Sequence, residues 1–434
     1  MNILSKISSI FSYTTNPIDY KKELMGGFAN FMAISYIIAV NPLILNANGQ
    51  GFPLNPTISA TVLTICIMTA FAGLVIRLPF VIAPGMGLNA MIIYTFAIHQ
   101  KLSIPITLGV IFWSSIILII FSVTNLRQKV IDAIPEVIQI ALSVGIGLFL
   151  IMVGLKNAQI IVSNPNTLLV INKLNLSSIL CLLGFIFAAI LFIKHKTYSM
   201  LLPIIVITIL SIIFHITTLP SNILTMPDFS LFAQVDIWHS LSLSVLPSIL
   251  SLFLVMFFDA TSSAIGLLTQ INHDCNDLKK IYYKKSLFSD GLGSVVSSIL
   301  GSSPTAIFVE SSVAIHNGAR TGLASIVTAL LCVPFLFLSP LISIIPPIAT
   351  SPILMLVGML MANNYKKLHI HAFEDFIAVV LTAIMIPLCF SITAGAVFGI
   401  ISYTILKILL GKTKEINVGL IIVAICCSFW FVIY

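Results

Sequence analysis

Two carboxylates stand inside stretches apolar enough for a lipid bilayer, Asp259 in LSLFLVMFFDATSSAIGLL and Glu310 in SSPTAIFVESSVAIHNG. An acidic side chain at the bilayer centre costs roughly 2.5 to 3.5 kcal/mol on insertion scales, so a chain that carries two must turn them toward something polar. The sequence reading finds no Lys or Arg in a span interior to neutralise them, which leaves a solute as the partner. A carboxylate accepts from adjacent N–H donors, and an amide such as Asn89, in LPFVIAPGMGLNA, donates and accepts at once. Together they suit a neutral solute that offers both hydrogen-bond donors and acceptors. A carboxyl group away from water also holds its proton more tightly, so the same residues are equipped to load and release one.

The elements that position these residues must cross a membrane. Mean hydropathy is +1.12, 59% of residues are hydrophobic and 8% are charged, against about 25% charged in soluble domains. Apolar runs of about 20 residues match a hydrocarbon core of about 30 Å, and they lack the alternation of barrel strands. The runs predict fourteen helical spans, at residues 25–45, 57–76, 80–99, 104–124, 135–155, 177–193, 199–216, 240–268, 288–300, 304–317, 321–340, 346–362, 374–388 and 391–410. The apolar tail, residues 418–434, fits either an interfacial helix or a further span.

Charge placement sets the orientation. With residues 1–24 as a cytoplasmic N-terminal segment, every Lys and Arg except Lys101, Lys156 and Lys173 falls on the cytoplasmic side, as short loops require. The net charge of +7 is therefore topogenic, and no nucleic-acid partner is expected. The seven Cys are scattered without metal-type spacing and read as small apolar fillers. Ile3, Leu4, Ile7, Ile10 and Phe11 have the spacing of a helix lying on the inner membrane surface, and nothing there resembles a cleaved signal.

Seven plus seven spans permit two inverted repeats, residues 25–216 and 240–410. The third span of the first half is interrupted by Pro84, Gly85 and Gly87, and that of the second half by Gly301 and Pro304. Such breaks free backbone groups at membrane depth, which is tolerable only where they line a cavity. Matching breaks in both halves predict a binding site.

YIIAVNPLIL, PFVIAPGMGLNA, GIGLFLIMVGLKNAQII, FFDATSSAIG and VESSVAIHNGARTGL resemble the adenine, guanine and hypoxanthine permeases, the AzgA-like branch of the nucleobase-ascorbate transporters, from about Thr15 to Lys414. The resemblance implies an all-α polytopic protein with broken third and tenth helices. It implies a core domain (25–124 plus 240–340), a gate domain (135–216 plus 346–410), and proton-coupled purine uptake in the cell membrane. The family's polar site residues fall on Asn89, Asp259 and Glu310; Met86, Gly87 and Phe308 are further candidates for contact with the solute, Phe308 as a ring that could stack on a base, and Asp259 and Glu310 are the expected proton-coupling residues. Two departures bear on purine preference. Ala260, Thr261, Ser262 and Ser263 follow Asp259 where the family has a Thr-Gly-Thr-like stretch, and Ser289, Asp290, Gly291 stand where it has Ala-Asp-Ala.

Duller roles compete. Glu310 could cap the break after Pro304, Asn89 could tie the backbone near Gly87, and any one of Phe80, Phe257 and Phe258 among 29 Phe residues is more readily packing than a stacking platform. His316 reads as lying at the inner water boundary, and Asp132, Glu136, Asp290, Glu374 and Asp375 as span-end charges. An anion carrier would not place two carboxylates centrally, a channel would need a continuous polar pore, and no HExxH or Gly-x-Ser-x-Gly motif suggests an enzyme. A proton gradient is the expected energy source, with no cofactor. A uracil or xanthine symporter and sodium coupling stay open, as does a homodimer. Reporters fused after Lys196 and Lys285 should read cytoplasmic, and one between Asp228 and Asp236 external; an external signal at Lys285 overturns the span order.

Overall fold

The computed structural model describes residues 11, 18–124, 135–164, 168–196, 198–217, 224–268, 276–368, 370, 372–389, 392–412, 416–417, 419–421 and 424. The surface helix expected through Ile10, Asp132, most of the tail from Val418 and the side chain of Phe258 lie outside them.

All fourteen expected spans are occupied. In the first half, α1 (Tyr20–Ile34) and α2 (Tyr36–Asn46) form one span, divided at Ser35, and α3 (Leu54–Val75) the next. The third is broken into β1 (Ile82–Pro84), α4 (Met86–Ala90) and a π-helical stretch, Met91–His99. Then come α5 (Ile104–Val123), α6 (Glu136–Asn157), a hairpin of β2 (Ile161–Asn164) and β3 (Leu168–Ile171), α7 (Leu176–Ile193) and α8 (Leu201–Ile213). The second half comprises α9 (Leu246–Leu268), α10 (Asn276–Leu300), β4 (Thr305–Ile307) with α11 (Ser312–His316), α12 (Leu323–Cys332), α13 (Ser339–Ser343), α14 (Pro347–Ala362), α15 (Phe373–Leu388) and α16 (Ile392–Leu409). Among the described residues, six helical stretches are long and apolar enough to cross a bilayer, from Tyr20–Gly49 to Pro347–Lys366. The protein is a polytopic, all-α membrane protein.

Two boundaries differ from the sequence reading. The ninth span begins at Asn276 rather than near 288, because KKIYYKKSLFSD is too polar to register as membrane sequence while still helical. The eleventh span is divided: Pro334 opens a 3-10 turn, Val333–Leu336, between α12 and α13.

Packing falls into two groups. In one, α12 packs on α1 and α3, α10 on α3 and α5, and α9 on α5. In the other, α14 packs on α6 and α7, and α15 on α6 and α16. Between the groups, contacts include α4 against α6, α9 against α16 and α14 against α2. Exchanging the halves element for element maps α12–α3 onto α5–α10 and α14–α7 onto α6–α15, while α6–α14 maps onto itself. At that crossing Gly147 and Gly358 bring main chain against main chain; a Cβ on Gly147 would stand 2.5 Å from the Gly358 carbonyl oxygen. This close approach of small residues is a common way for membrane helices to gain contact.

Charges are settled near the helix ends. Glu23, only 2% exposed, accepts N–H bonds from Arg320 (2.7 Å), Thr321 (3.0 Å) and Ala324 (3.3 Å), serving the free amides at the start of α12. Lys407 is more deeply placed than a border charge. It is 2% exposed and pairs with Asp375 (2.9 Å) and Glu374 (3.4 Å) across α15 and α16, and Lys412 joins Glu374. Those two carboxylates thus hold a helix pair together rather than merely orient a loop. Lys407→Met leaves them without their buried cation, so folded protein recovered by size-exclusion in detergent should fall well below wild type. Lys407→Met with Glu374→Gln and Asp375→Asn should recover part of that loss; equal recovery of the single variant and wild type would show that the cluster carries no stability.

Candidate functional site

Pro84, Gly85 and Pro304 stop the helices of the third and tenth spans, and the chain there is extended rather than irregular. The two extended segments pair with each other. β1 and β4 run antiparallel in the register Ile82 with Ile307, Ala83 with Ala306 and Pro84 with Thr305. The ladder continues through Gly85 N–H to the Pro304 carbonyl and Phe308 N–H to the Val81 carbonyl, each at 3.0 Å. The outer edges are met by hydroxyls. Thr69 Oγ1 donates to the Ile82 carbonyl (3.0 Å) and accepts its N–H (3.3 Å), and Ser294 Oγ does the same for Thr305 (3.3 and 2.9 Å). Thr69 and Ser294 lie on α3 and α10, the equivalent helices of the two halves. Ser311 Oγ accepts the Val81 N–H at 3.0 Å.

Glu310 stands in the turn Val309–Ser311 directly after this ribbon, half-buried, with its Oε1 taking the Tyr36 hydroxyl at 3.2 Å. Tyr36 is 1% exposed and opens α2 just beyond Ser35. Asp259 is also half-buried, on α9, which packs against β4 and the Glu310 turn. The two acids are within electrostatic reach of each other. A third carboxylate joins them. Asp290 lies mid-helix on α10, 1% exposed, within reach of Asp259, and its Oδ1 has no hydrogen-bond partner among the described residues. Its reading as a span-end charge is corrected here: the helix starts fourteen residues before it. The signal obscured in sequence was the polar run that precedes it.

Asn89 is fully buried, and its Nδ2 donates to Asn41 Oδ1 at 3.0 Å while its own Oδ1 has no partner among the described residues. Asn41, on α2, is the hub. Its oxygen also accepts from Ser303 Oγ (2.9 Å), and its amide donates to Thr61 Oγ1 (2.8 Å) and Ser302 Oγ (3.2 Å). The network ties the second span, both broken spans and α2 together; Asn41 was visible in sequence only as the lone polar residue of YIIAVNPLIL. Met86, 6% exposed, opens α4 with its Sδ 4.0 Å from Asn89 Nδ2. Gly87 faces the other packing group, where a Cβ would meet Ile146 of α6 at 2.8 Å. Phe308 is 6% exposed in the main apolar core, Phe80 is wholly buried, and Phe257 packs on Phe253 (5.8 Å) and Phe121 (6.4 Å). His316, at the end of α11, is exposed.

A separate cavity of about 430 Å³ opens at the side assigned to the exterior, lined by Asn48, Gln50, Tyr94, His99, Lys156 and Asn157 among others. Tyr94 hydrogen-bonds Asn157 there, linking the broken third span to α6.

Residues 21–398 match the Permease family. The chain is 35% identical over 433 residues to the putative permease MJ0326 of Methanocaldococcus jannaschii, covering 99% of each. It is 33% identical to the adenine permease AdeP of Escherichia coli, over 96% of this chain and 94% of that one. It is 32% identical to the guanine/hypoxanthine permease PbuG of Bacillus subtilis, over 95% and 96%. The resemblance read from the sequence is borne out by these relatives. The transmembrane domain of a cyanobacterial bicarbonate transporter, BicA, shares the fold with a TM-score of 0.63 over 87% of this chain and 99% of its own, at 18% identity.

Asp259→Asn and Glu310→Gln keep the shape of each side chain and remove the carboxylate. Each should lower purine uptake by about a hundredfold or more, the scale on which positioned ionisable groups act, while membrane insertion is retained. Near-normal uptake by either variant rules that residue out of the site.

Proposed function

This chain belongs to the Permease family, and on that premise we propose that it imports purine nucleobases across the cell membrane by proton symport, its N-terminus cytoplasmic. It is a transporter, not an enzyme. The observation that carries the reading is the pair of half-buried acids, Asp259 and Glu310, set beside the paired ends of two broken helices. A purine edge presents N–H donors next to ring-nitrogen acceptors, and carboxylates answer the donors. The adenine and guanine/hypoxanthine permeases among the relatives support that solute class. Likeness to BicA extends to the fold alone, and central carboxylates oppose an anion.

Transport follows from α1–α5 and α9–α12 moving as a body against α6–α8 and α14–α16, which exposes the site to either side in turn. Gly87 lies where the two bodies meet, and its missing side chain lets α6 approach. A proton entering with the solute adds about 2.3 kcal/mol per 100 mV to accumulation of a neutral ring.

Labelled hypoxanthine uptake should be competed by unlabelled adenine or guanine and not by uracil. It should rise several-fold as external pH falls from about 8 to about 6, because a steeper inward proton gradient drives a symporter harder. A protonophore should abolish accumulation with sodium present. Strict sodium dependence with indifference to pH and protonophore transfers coupling to a metal ion, and competition by uracil or xanthine alone overturns the purine assignment.

A further inference from the structure

The cytoplasmic half of α10 carries a row of buried polar side chains, two of them serines whose hydroxyls have no hydrogen-bond partner among the described residues. Tyr282 (1% exposed), Ser286 (0%), Ser289 (0%) and Asp290 (1%) follow one another at spacings that place them on one side of the helix. Ser286 Oγ, Ser289 Oγ and Asp290 Oδ1 have no hydrogen-bond partner among the described residues. Many buried hydroxyls elsewhere in the spans turn back on the preceding helical turn: Ser114 bonds the Val110 carbonyl at 2.7 Å, Ser115 that of Ile111 at 2.6 Å, Ser211 that of Ile207 at 2.7 Å and Thr382 that of Ala378 at 2.7 Å. Hydroxyls that forgo this bond keep both donor and acceptor capacity, and leaving that capacity unused inside a protein is costly.

We infer that this face of α10 is the route by which the coupling proton leaves the site for the cytoplasm; the inference rests on the proton-symport reading. Asp290, buried on α10 with its Oδ1 unpartnered among the described residues and within electrostatic reach of Asp259, is the first acceptor of the proton along this row from the solute site. The Ser289 and Ser286 hydroxyls, with water bridging the gap of one helical turn, hand it on toward Tyr282 and Tyr283, the latter bonded to Thr261 at 3.3 Å, and the exposed Lys284 beyond. Each hydroxyl accepts a proton on its lone pair as it gives its own to the next oxygen. Asp290 ends ionised, one proton reaches cytoplasmic water, and rotation of each hydroxyl about its C–O bond restores the row for the next passage. The surroundings offer few detours. Of the elements packed on α10, α9 contributes Asp259, with Glu310 beyond it, and α3 contributes Cys66, whereas α5, β1 and β4 hold no ionisable side chain.

The test uses the full chain in proteoliposomes and compares two rates for labelled hypoxanthine: net uptake driven by a pH gradient, and one-for-one exchange at equal pH, which needs no net proton release. Ser286→Ala with Ser289→Ala should cut gradient-driven uptake about a hundredfold, the lower end of what a positioned proton-transfer group contributes, and leave exchange within about twofold of wild type. Ser286→Thr with Ser289→Thr, which restores the hydroxyls, should recover the gradient-driven rate. Net uptake that stays in step with exchange in the Ala variant overturns the route, as does parallel loss of both rates that the Thr variant fails to repair. A wild-type protein that exchanges hypoxanthine yet gains nothing from the gradient overturns proton symport itself, and that result is in hand before any variant is made.

Discussion

Everything at the centre of this protein depends on the pairing of β1 with β4. A chain that interrupts two membrane helices exposes backbone donors and acceptors where water is absent, and each one left unmet is expensive. Here the interruptions meet each other: residues 81–85 and 304–308 form one two-stranded ribbon, with Thr69 and Ser294 serving its two outer edges. The ribbon makes the half-helices affordable, and the half-helices make a site.

The backbone is nearly symmetric while the chemistry is not. The first repeat brings amides and hydroxyls, centred on Asn41 and Asn89, which are saturated mostly by one another and by Ser302 and Ser303. The second repeat brings the acids, Asp259, Asp290 and Glu310, with Tyr36 reaching across from the first to hold Glu310. Both halves hold the ribbon, but only the second brings carboxylates to it.

What the sequence disclosed depended on contrast. Asp259 and Glu310 were legible because a carboxylate in an apolar run has few explanations. The two breaks were legible because Pro and Gly mark them, but nothing local says that one break pairs with the other more than 200 residues away. Asp290 was misread since SLFSDGLGS dilutes the apolar signal around it, and burial depends on α3, α5 and α9 closing over a helix that is polar at its start. Asn41 escaped notice for a similar reason: its partners, Thr61 apart, lie far along the chain, so its role is created only by folding. The Lys407 cluster shows the converse, in that border charges of ordinary appearance become a buried ion pair once α15 and α16 meet.

The contact of Gly147 with Gly358 bears on how force travels. Side chains between helices absorb small displacements by changing rotamer, and bare backbone has none to change. Where α6 and α14 touch through glycine, the pair behaves as a stiff lever pivoted near its middle. One arm of α6 ends at Asn157, on the rim of the outer cavity, and the other runs past Ser143, which accepts a hydrogen bond from Asn364 at 2.8 Å, to Glu136. A tilt begun at either arm therefore moves the opposite arm as well, because no side chain stands between the two backbones to take it up.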